Sequence, residues 1–317
     1  MVNEIKKLPK ISLSETSNFS LSKSATASGV VFNPDLEIKK EKLYFAIFKI
    51  ATFFLVGILI FILLYVFFKG FKVINIHFLI SMWNHQDISQ GGIFPAIFGS
   101  ILLGIGVSIL SIPIGICTAI YLHEYAKDNL FTRMIKISIR NLAGVPSVVY
   151  GLFGIAFFVL FLKMGTSLIA ASFTLGCMTL PWIITASEES LKSVPNSFKE
   201  ASLALGATKW ETIRDVVLPN SLGGMLTGSI LGISRAMGET APIIMVGATF
   251  YISYLPVSPL DKFMALPYHI FILATQHSSP LAISYAFGTA LILILMMFCL
   301  NLGIFIIRYK LRKKKEW

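Results

Sequence analysis

Arg235 and Glu239 are the residues of this chain whose types and spacing most invite a chemical reading, because both fall inside an apolar run, residues 221–254. A charge at the middle of a bilayer costs about 2.5–3.5 kcal/mol on insertion scales, so two of them in one run call for an explanation. Four residues apart on a helix, they can pair. Two readings stand side by side. In one they are a mutually neutralising structural pair. In the other Arg235 attracts an oxyanion, its fixed fork of donors matching phosphate or carboxylate, while Glu239 orients it or tempers its charge. Gly224, Gly228 and Gly232 recur every four residues just before them, a small-residue stripe that lets a neighbouring helix approach closely.

A second constellation occupies residues 200–219, EASLALGATKWETIRDVVLP. Ser197 with Glu200, and Thr208 with Glu211, have the spacing of capping boxes, in which hydroxyl and carboxylate each satisfy a free backbone N–H. Gly206 lies between them as a helix stop, and Pro219 is expected to bound the second helix. The spacing therefore predicts helix, bend, helix. Trp210, Ile213 and Val217 form an apolar stripe opposite Glu211, Arg214 and Asp215, which suits a short helix held on one side and offered to a soluble partner on the other. A plain helical loop fits the same pattern. DNA does not: residues 188–219 carry four basic against five acidic residues, leaving no attraction for phosphates.

The elements that must position these groups are membrane spans. Of 317 residues, 55% are hydrophobic and only 14% charged, too apolar a composition for an ordinary soluble fold. Charge-free or nearly charge-free runs predict six spans, at residues 50–68, 92–122, 141–162, 165–187, 221–254 and 281–307, each long enough for the roughly 30 Å of hydrocarbon. Pro113, Pro146 and Pro181 are expected to bend or interrupt the second, third and fourth. Ser100, Gly104 and Ser108 share one face of the second. Residues 1–42 read as a disordered, Ser-rich cytoplasmic tail, residues 43–307 as the six-span domain, residues 188–219 as an inside loop, and residues 308–317 as a basic cytoplasmic tail. The orientation follows from the 27 Lys and Arg residues. Only Lys69, Lys72, Lys163 and Lys262 fall in outside connections when both termini are placed inside. Cys117, Cys177 and Cys299 all sit in apolar runs and indicate no disulfide framework.

Glu200-Ala201-Ser202, Gly206, Val216, Leu218 and Pro219 resemble the E-A-A-x3-G-x9-I-x-L-P motif of importer permeases of the ATP-binding cassette class, with Ser202 and Val216 as small departures. Arg235-Ala236-Met237-Gly238-Glu239-Thr240-Ala241-Pro242, Ile120 to Tyr125, and Val145-Pro146-Ser147-Val148-Val149-Tyr150-Gly151-Leu152 are similar to phosphate permeases of the Pst system. The run Ala265 to Phe271 looks like their A-type chain. This resemblance implies an all-helical, six-span permease of the type I importer fold in the bacterial inner membrane. It implies that Glu200, Ala201, Gly206, Ala207, Thr208, Trp210, Leu218 and Pro219 couple to a homodimeric ATPase. Arg235, Glu239 and Thr240 would line the phosphate pathway. Further partners implied are a second, C-type permease subunit and a periplasmic phosphate-binding protein. The chain has no P-loop, so ATP and Mg belong to the ATPase partners. No cofactor, metal ligand or catalytic residue is expected here. A C-type subunit, a permease for molybdate or sulfate, an ATP-independent transporter or channel, and a membrane-anchored regulator remain as alternatives.

Overall fold

The computed structural model describes residues 34–313 apart from 85, 86, 253, 278 and 280. The expected tail over residues 1–33 lies outside the described residues, as do residues 314–317. The described residues are helical, with one isolated bridge between Ala248 and Phe263. Among the described residues five helices are long and apolar enough to cross a bilayer, or six if the one bent pair is counted as a span.

The chain divides after Phe61. The first helix, α1 (Pro34–Phe71), begins well before the predicted span, so the expected disorder of residues 34–42 gives way to helix. Up to Phe61 its described apolar side chains are exposed throughout, which only an apolar solvent or partner tolerates.

In the second unit, residues 62–317, α2 (Ile76–Ile80) and a short 3-10 turn (Ile88–Gln90) precede α3 (Phe94–Ile120). Pro113 is accommodated inside α3 without ending it, and the helix closes in a π turn, Tyr121–Tyr125. Residues 130–142, expected to belong mostly to an inside loop, instead form α4 (Leu130–Leu142), with Ile135 and Ile139 turned to the protein and Leu130, Phe131 and Met134 exposed. The third span is correspondingly shorter than predicted: α5 (Ser147–Gly154) and its π-helical continuation (Ile155–Phe161) meet α4 at 101°. The bend falls at Pro146, which lacks the N–H needed to continue a helix. The Tyr150 hydroxyl holds the elbow by donating to the Leu142 carbonyl at 2.9 Å.

Next comes α6 (Leu168–Lys192), the most buried span and the centre of the unit. Pro181 lies within it, and the interruption expected there is absent, since the helix is continuous on both sides. Small residues bring α6 close to its neighbours. A Cβ on Gly106 or Gly115 of α3 would meet Ser172 or Ile183, and one on Gly154 of α5 would meet Thr174. With lipid offering no hydrophobic drive between helices, such close approach is what holds spans together.

Beyond α6 lie α7 (Asn196–Ala204), α8 (Lys209–Glu211), a π turn (Thr212–Val217) and α9 (Leu218–Met237). From Lys209 to Met237 these last three run on as one helical stretch, long enough to hold a membrane span in its apolar part beyond the polar residues 209–215. Pro219 therefore does not bound a helix, contrary to expectation. A proline inside a helix costs about 3 kcal/mol through its missing N–H and its ring clash. At the start of α9, directly after a π turn that has already changed the hydrogen-bond register, that clash is avoided. Chain direction then breaks at Gly238, and α10 (Ala241–Val246), α11 (Leu266–Thr275) and α12 (Ala282–Lys313) complete the fold. Residues 308–313, read as tail, continue α12.

Among the described residues four apolar clusters fill the unit, the smallest of them Phe158, Ala170 and Val246. Of the others, one surrounds Trp83, Phe250 and Leu266 at the start of α3, a second lies around Leu175, Met178 and Met237, and the third joins Leu122, Leu191 and Val217 at the far end of α3. In the first, His269 stacks on Phe250 at 4.8 Å, and burial pushes its pKa down to about 3, so it stays neutral.

Candidate substrate cleft and coupling element

Arg235 occupies the last turn of α9, and Glu239 lies just past the helix end, at the Gly238 break. Arg235 Nε is 3.7 Å from Glu239 Oε1, so the expected pair forms even though Glu239 is off the helix. The guanidinium carbon sits 4.7 Å from the centroid of the Trp182 ring, contributed by α6. Cation–π contacts of this kind contribute about 0.5–2 kcal/mol according to their exposure. Arg235 is 53% exposed and Glu239 20%, a placement at a cleft wall and not in a sealed core.

That cleft has a volume of about 200 Å³ and is lined by residues 142–147, Tyr150, Met178, Trp182, Arg235 and Glu239. Drug-sized sites begin near ~300 Å³, so the space suits a small ion. Among the described residues, Arg235 meets the Glu239 carboxylate through Nε and lies with its guanidinium carbon over the Trp182 ring. Its two terminal amino groups are left for a ligand, the fork geometry that grips two oxygens of one anion. Thr240 is outside the cleft lining and precedes α10 as its cap.

The glycine stripe behaves largely as expected. A Cβ on Gly224 would collide with Ser190, and one on Gly228 with Ala186, so both admit α6 closely; at Gly232 the nearest atom, of Ile183, is 3.6 Å away. Gly104 likewise receives Met237, while Ser100 accepts from the Leu266 N–H at 2.8 Å.

In the candidate coupling element, helix α7 starts two residues earlier than the Ser197 capping box predicts. Pro195 is its cap, with no side-chain hydrogen bond, and the Ser197–Glu200 capping box does not form. Gly206 is left-handed at φ +88, as expected. The Ala207 N–H donates to the Ser202 carbonyl at 3.2 Å and the Gly206 N–H to the Leu203 carbonyl at 3.0 Å, satisfying the last carbonyls of α7. Thr208 and Glu211 form the second box, with the Thr208 N–H on Glu211 Oε2 at 2.7 Å and the Glu211 N–H on Thr208 Oγ1 at 3.3 Å. These hydrogen bonds, the backbone one foremost, hold the Glu211 carboxyl below the usual range.

Ile213 and Val217 of the predicted stripe are buried, but Trp210 is exposed. It shares that exposure with Phe198, Leu203 and Leu205, the last 90% accessible, and with Glu200. The element therefore presents an uncovered apolar face around the Gly206 bend. Ala201, Thr208 and Lys209 are also exposed, Ala207 half so, and Leu218 and Pro219 half-buried at the start of α9.

Sequence reasoning missed several members of these sites. Trp182 stands 53 positions from Arg235 in sequence and carried no local signal beyond being aromatic beside Pro181. Tyr150 and residues 145–147 drew notice only within the Val145–Leu152 resemblance, and residues 142–144 only as part of the third predicted span. Glu188, 8% exposed, binds Lys136 at 2.8 Å and Lys192 at 3.6 Å, tying α4 to α6. An acidic residue at the end of an apolar run, with lysines nearby in sequence, was the available clue.

A family model described as "Binding-protein-dependent transport system inner membrane component" matches residues 111–316. The chain is 32% identical over 285 residues to "Phosphate transport system permease protein PstA" of Mycobacterium leprae, covering 86% of this chain and 90% of that one. Against "Phosphate transport system permease protein PstA 1" of Mycobacterium tuberculosis (strain ATCC 25618 / H37Rv) identity is 32% over 246 residues, 74% of this chain and 77% of that protein. Among solved structures, a bacterial alginate ABC transporter in complex with an alginate-pentasaccharide-bound periplasmic protein matches in fold. Its TM-score is 0.60 at 12% identity, over 84% of this chain and 94% of that one.

Proposed function

We propose, from the premise that the chain belongs to the family of binding-protein-dependent transport system inner membrane components, that it is the A-type permease subunit of an ATP-driven importer of inorganic phosphate. The family is one of non-catalytic membrane permeases, in which other subunits hydrolyse ATP. The observation that carries the finer reading is the Arg235 guanidinium, laid on Trp182 and held at Nε by Glu239 in a small cleft. Relatives whose names specify phosphate transport support the choice of anion.

In this reading phosphate binds the terminal amino groups of Arg235. Glu239 keeps the empty site neutral, reducing the cost of a bare charge within the bilayer. A substrate carrying one to two negative charges then competes with the carboxylate for the guanidinium, so binding is reversible. Thr240, outside the lining, acts through the Gly238 break and not by contact. A C-type permease supplies the facing wall, and a periplasmic phosphate-binding protein delivers substrate. Two ATPase subunits receive the apolar face around Phe198, Leu205 and Trp210 from the cytoplasm, where the basic residues place both termini. Glu200, Ala201, Gly206, Ala207 and Thr208 shape that face.

The test is radiolabelled phosphate uptake by the reconstituted complex, with sulfate and molybdate as competitors. Uptake that requires ATP and is displaced by unlabelled phosphate, but not by equal sulfate or molybdate, is expected. Stronger displacement by either competitor would assign another oxyanion.

A further inference from the structure

Two cations of the coupling element, one on each side of the Gly206 bend, reach the same short stretch of the second span. Lys199 Nζ on α7 lies 2.6 Å from Glu124 Oε1, with the two side chains only 18% and 10% exposed. Lys209 Nζ on α8 sits 4.9 Å over the Tyr125 ring. Both acceptors belong to the π turn Tyr121–Tyr125 that ends α3, where His123 Nε2 also stands 3.6 Å from Glu124 Oε1. The hydroxyls of Ser202 and Thr212, 2.9 Å apart, join the two halves of the element to each other.

We infer that the Lys199–Glu124 pair is a strut fixing the coupling element to the second span, so that a push on the element moves α3 directly as well as α9. Exposed ion pairs hold little, but this one is largely withdrawn from solvent, and removing either partner strands a charge there. Covalent continuity already links the element to α9, through a π turn. The strut adds a link to a helix 75 residues away in sequence. Motion of α3 cannot leave α6 in place, because Gly106 and Gly115 admit Ser172 and Ile183 too closely for the helices to slide freely. Ile183 is the neighbour of Trp182, on which Arg235 rests. Glu124 and Lys199 are thus positioning residues that join the ATPase side to the cleft.

The inference rests on the reading of the chain as an ATPase-coupled permease, so its test measures the ratio of phosphate transported to ATP hydrolysed in the complete reconstituted complex. ATP-driven uptake by the parental complex holds that reading fixed while the ratio reports on the strut. The reversals Glu124→Lys and Lys199→Glu are each expected to leave ATPase copurification intact and to lower the ratio about tenfold, within the usual span of coupling between sites. The double variant, which restores the pair in reverse, is expected to recover to within about twofold of the parent. Glu124→Gln, nearly isosteric, should lower the ratio at parental yield and guards against a folding defect. An unchanged ratio in a well-expressed Glu124→Gln complex, no recovery in the double variant, or loss of the ATPase from the single variants would overturn the strut.

Discussion

The Arg235 guanidinium carbon lies over the Trp182 ring, 4.7 Å from its centroid, although the two residues come from different spans and no local pattern links them. An arginine on a flexible stem loses rotamer freedom on binding, and a ring beneath it removes part of that cost beforehand. In the proposed anion site Trp182 therefore counts as much as the charge it supports.

Replacing Trp182 with Leu should raise the phosphate concentration for half-maximal uptake by about 2- to 30-fold, the equivalent of the ~0.5–2 kcal/mol attributed to such contacts. The maximal rate should fall less. Trp182→Phe, which keeps a ring face, should lie between the two. Uptake kinetics in vesicles over a range of phosphate concentrations separate the two constants.

Gly228→Leu should damage assembly. Its Cβ would land on that of Ala186, and overpacking of this kind costs about 1–3 kcal/mol where the backbone cannot shift. Gly223→Ala, five residues earlier with open space around it, serves as the tolerated control. The thermal midpoint of the detergent-solubilised complex measures both.

At Gly206 the backbone is left-handed at φ +88, which costs an ordinary L-residue about 1–2 kcal/mol and a β-branched one more. No side chain would clash there, since nothing lies nearby. Gly206→Val should accordingly loosen the bend and reduce copurification of the ATPase, while Gly206→Asn should be milder. Pull-down yield from membranes distinguishes them.

Glu211 sets a pH dependence. Its carboxyl is held below the usual range by hydrogen bonds from Thr208, so the capping box stabilises the helix fully above the ordinary glutamate value near ~4.3. That stabilisation is lost as pH falls through the depressed value. Hydrogen exchange at the amides of residues 209–212, corrected for intrinsic rates, should accelerate below that point and not between pH 5 and 8. Glu211→Gln should remove the dependence.

Much of this was legible in the sequence, for identifiable reasons. Long charge-free runs can only be spans, glycines at spacing four mark close helix contacts, and Gly206 with Thr208 and Glu211 encode a bend through backbone preference and local hydrogen bonds. Prolines misled. Pro181 and Pro219 were read as breaks because a missing N–H disrupts an isolated helix, yet Pro181 lies within a continuous α6 and Pro219 follows a π turn that shifts the register. The helix α4 was hidden because Arg133, Lys136 and Arg140 suit a loop as well as an amphipathic helix. Trp182 and the Lys199–Glu124 pair were not legible at all. They depend on which spans are neighbours, and spacing along the chain carries no record of that.

Phosphate uptake by the complex carrying Arg235→Gln tests the central claim most directly. Gln keeps the stem and a hydrogen-bonding head but removes the charge and the fork. Uptake is expected to vanish into background while the second permease and the ATPase still copurify in parental amounts. Uptake near the parental rate in a complex of normal composition would show that Arg235 and Glu239 are only a structural pair, and would contradict the account.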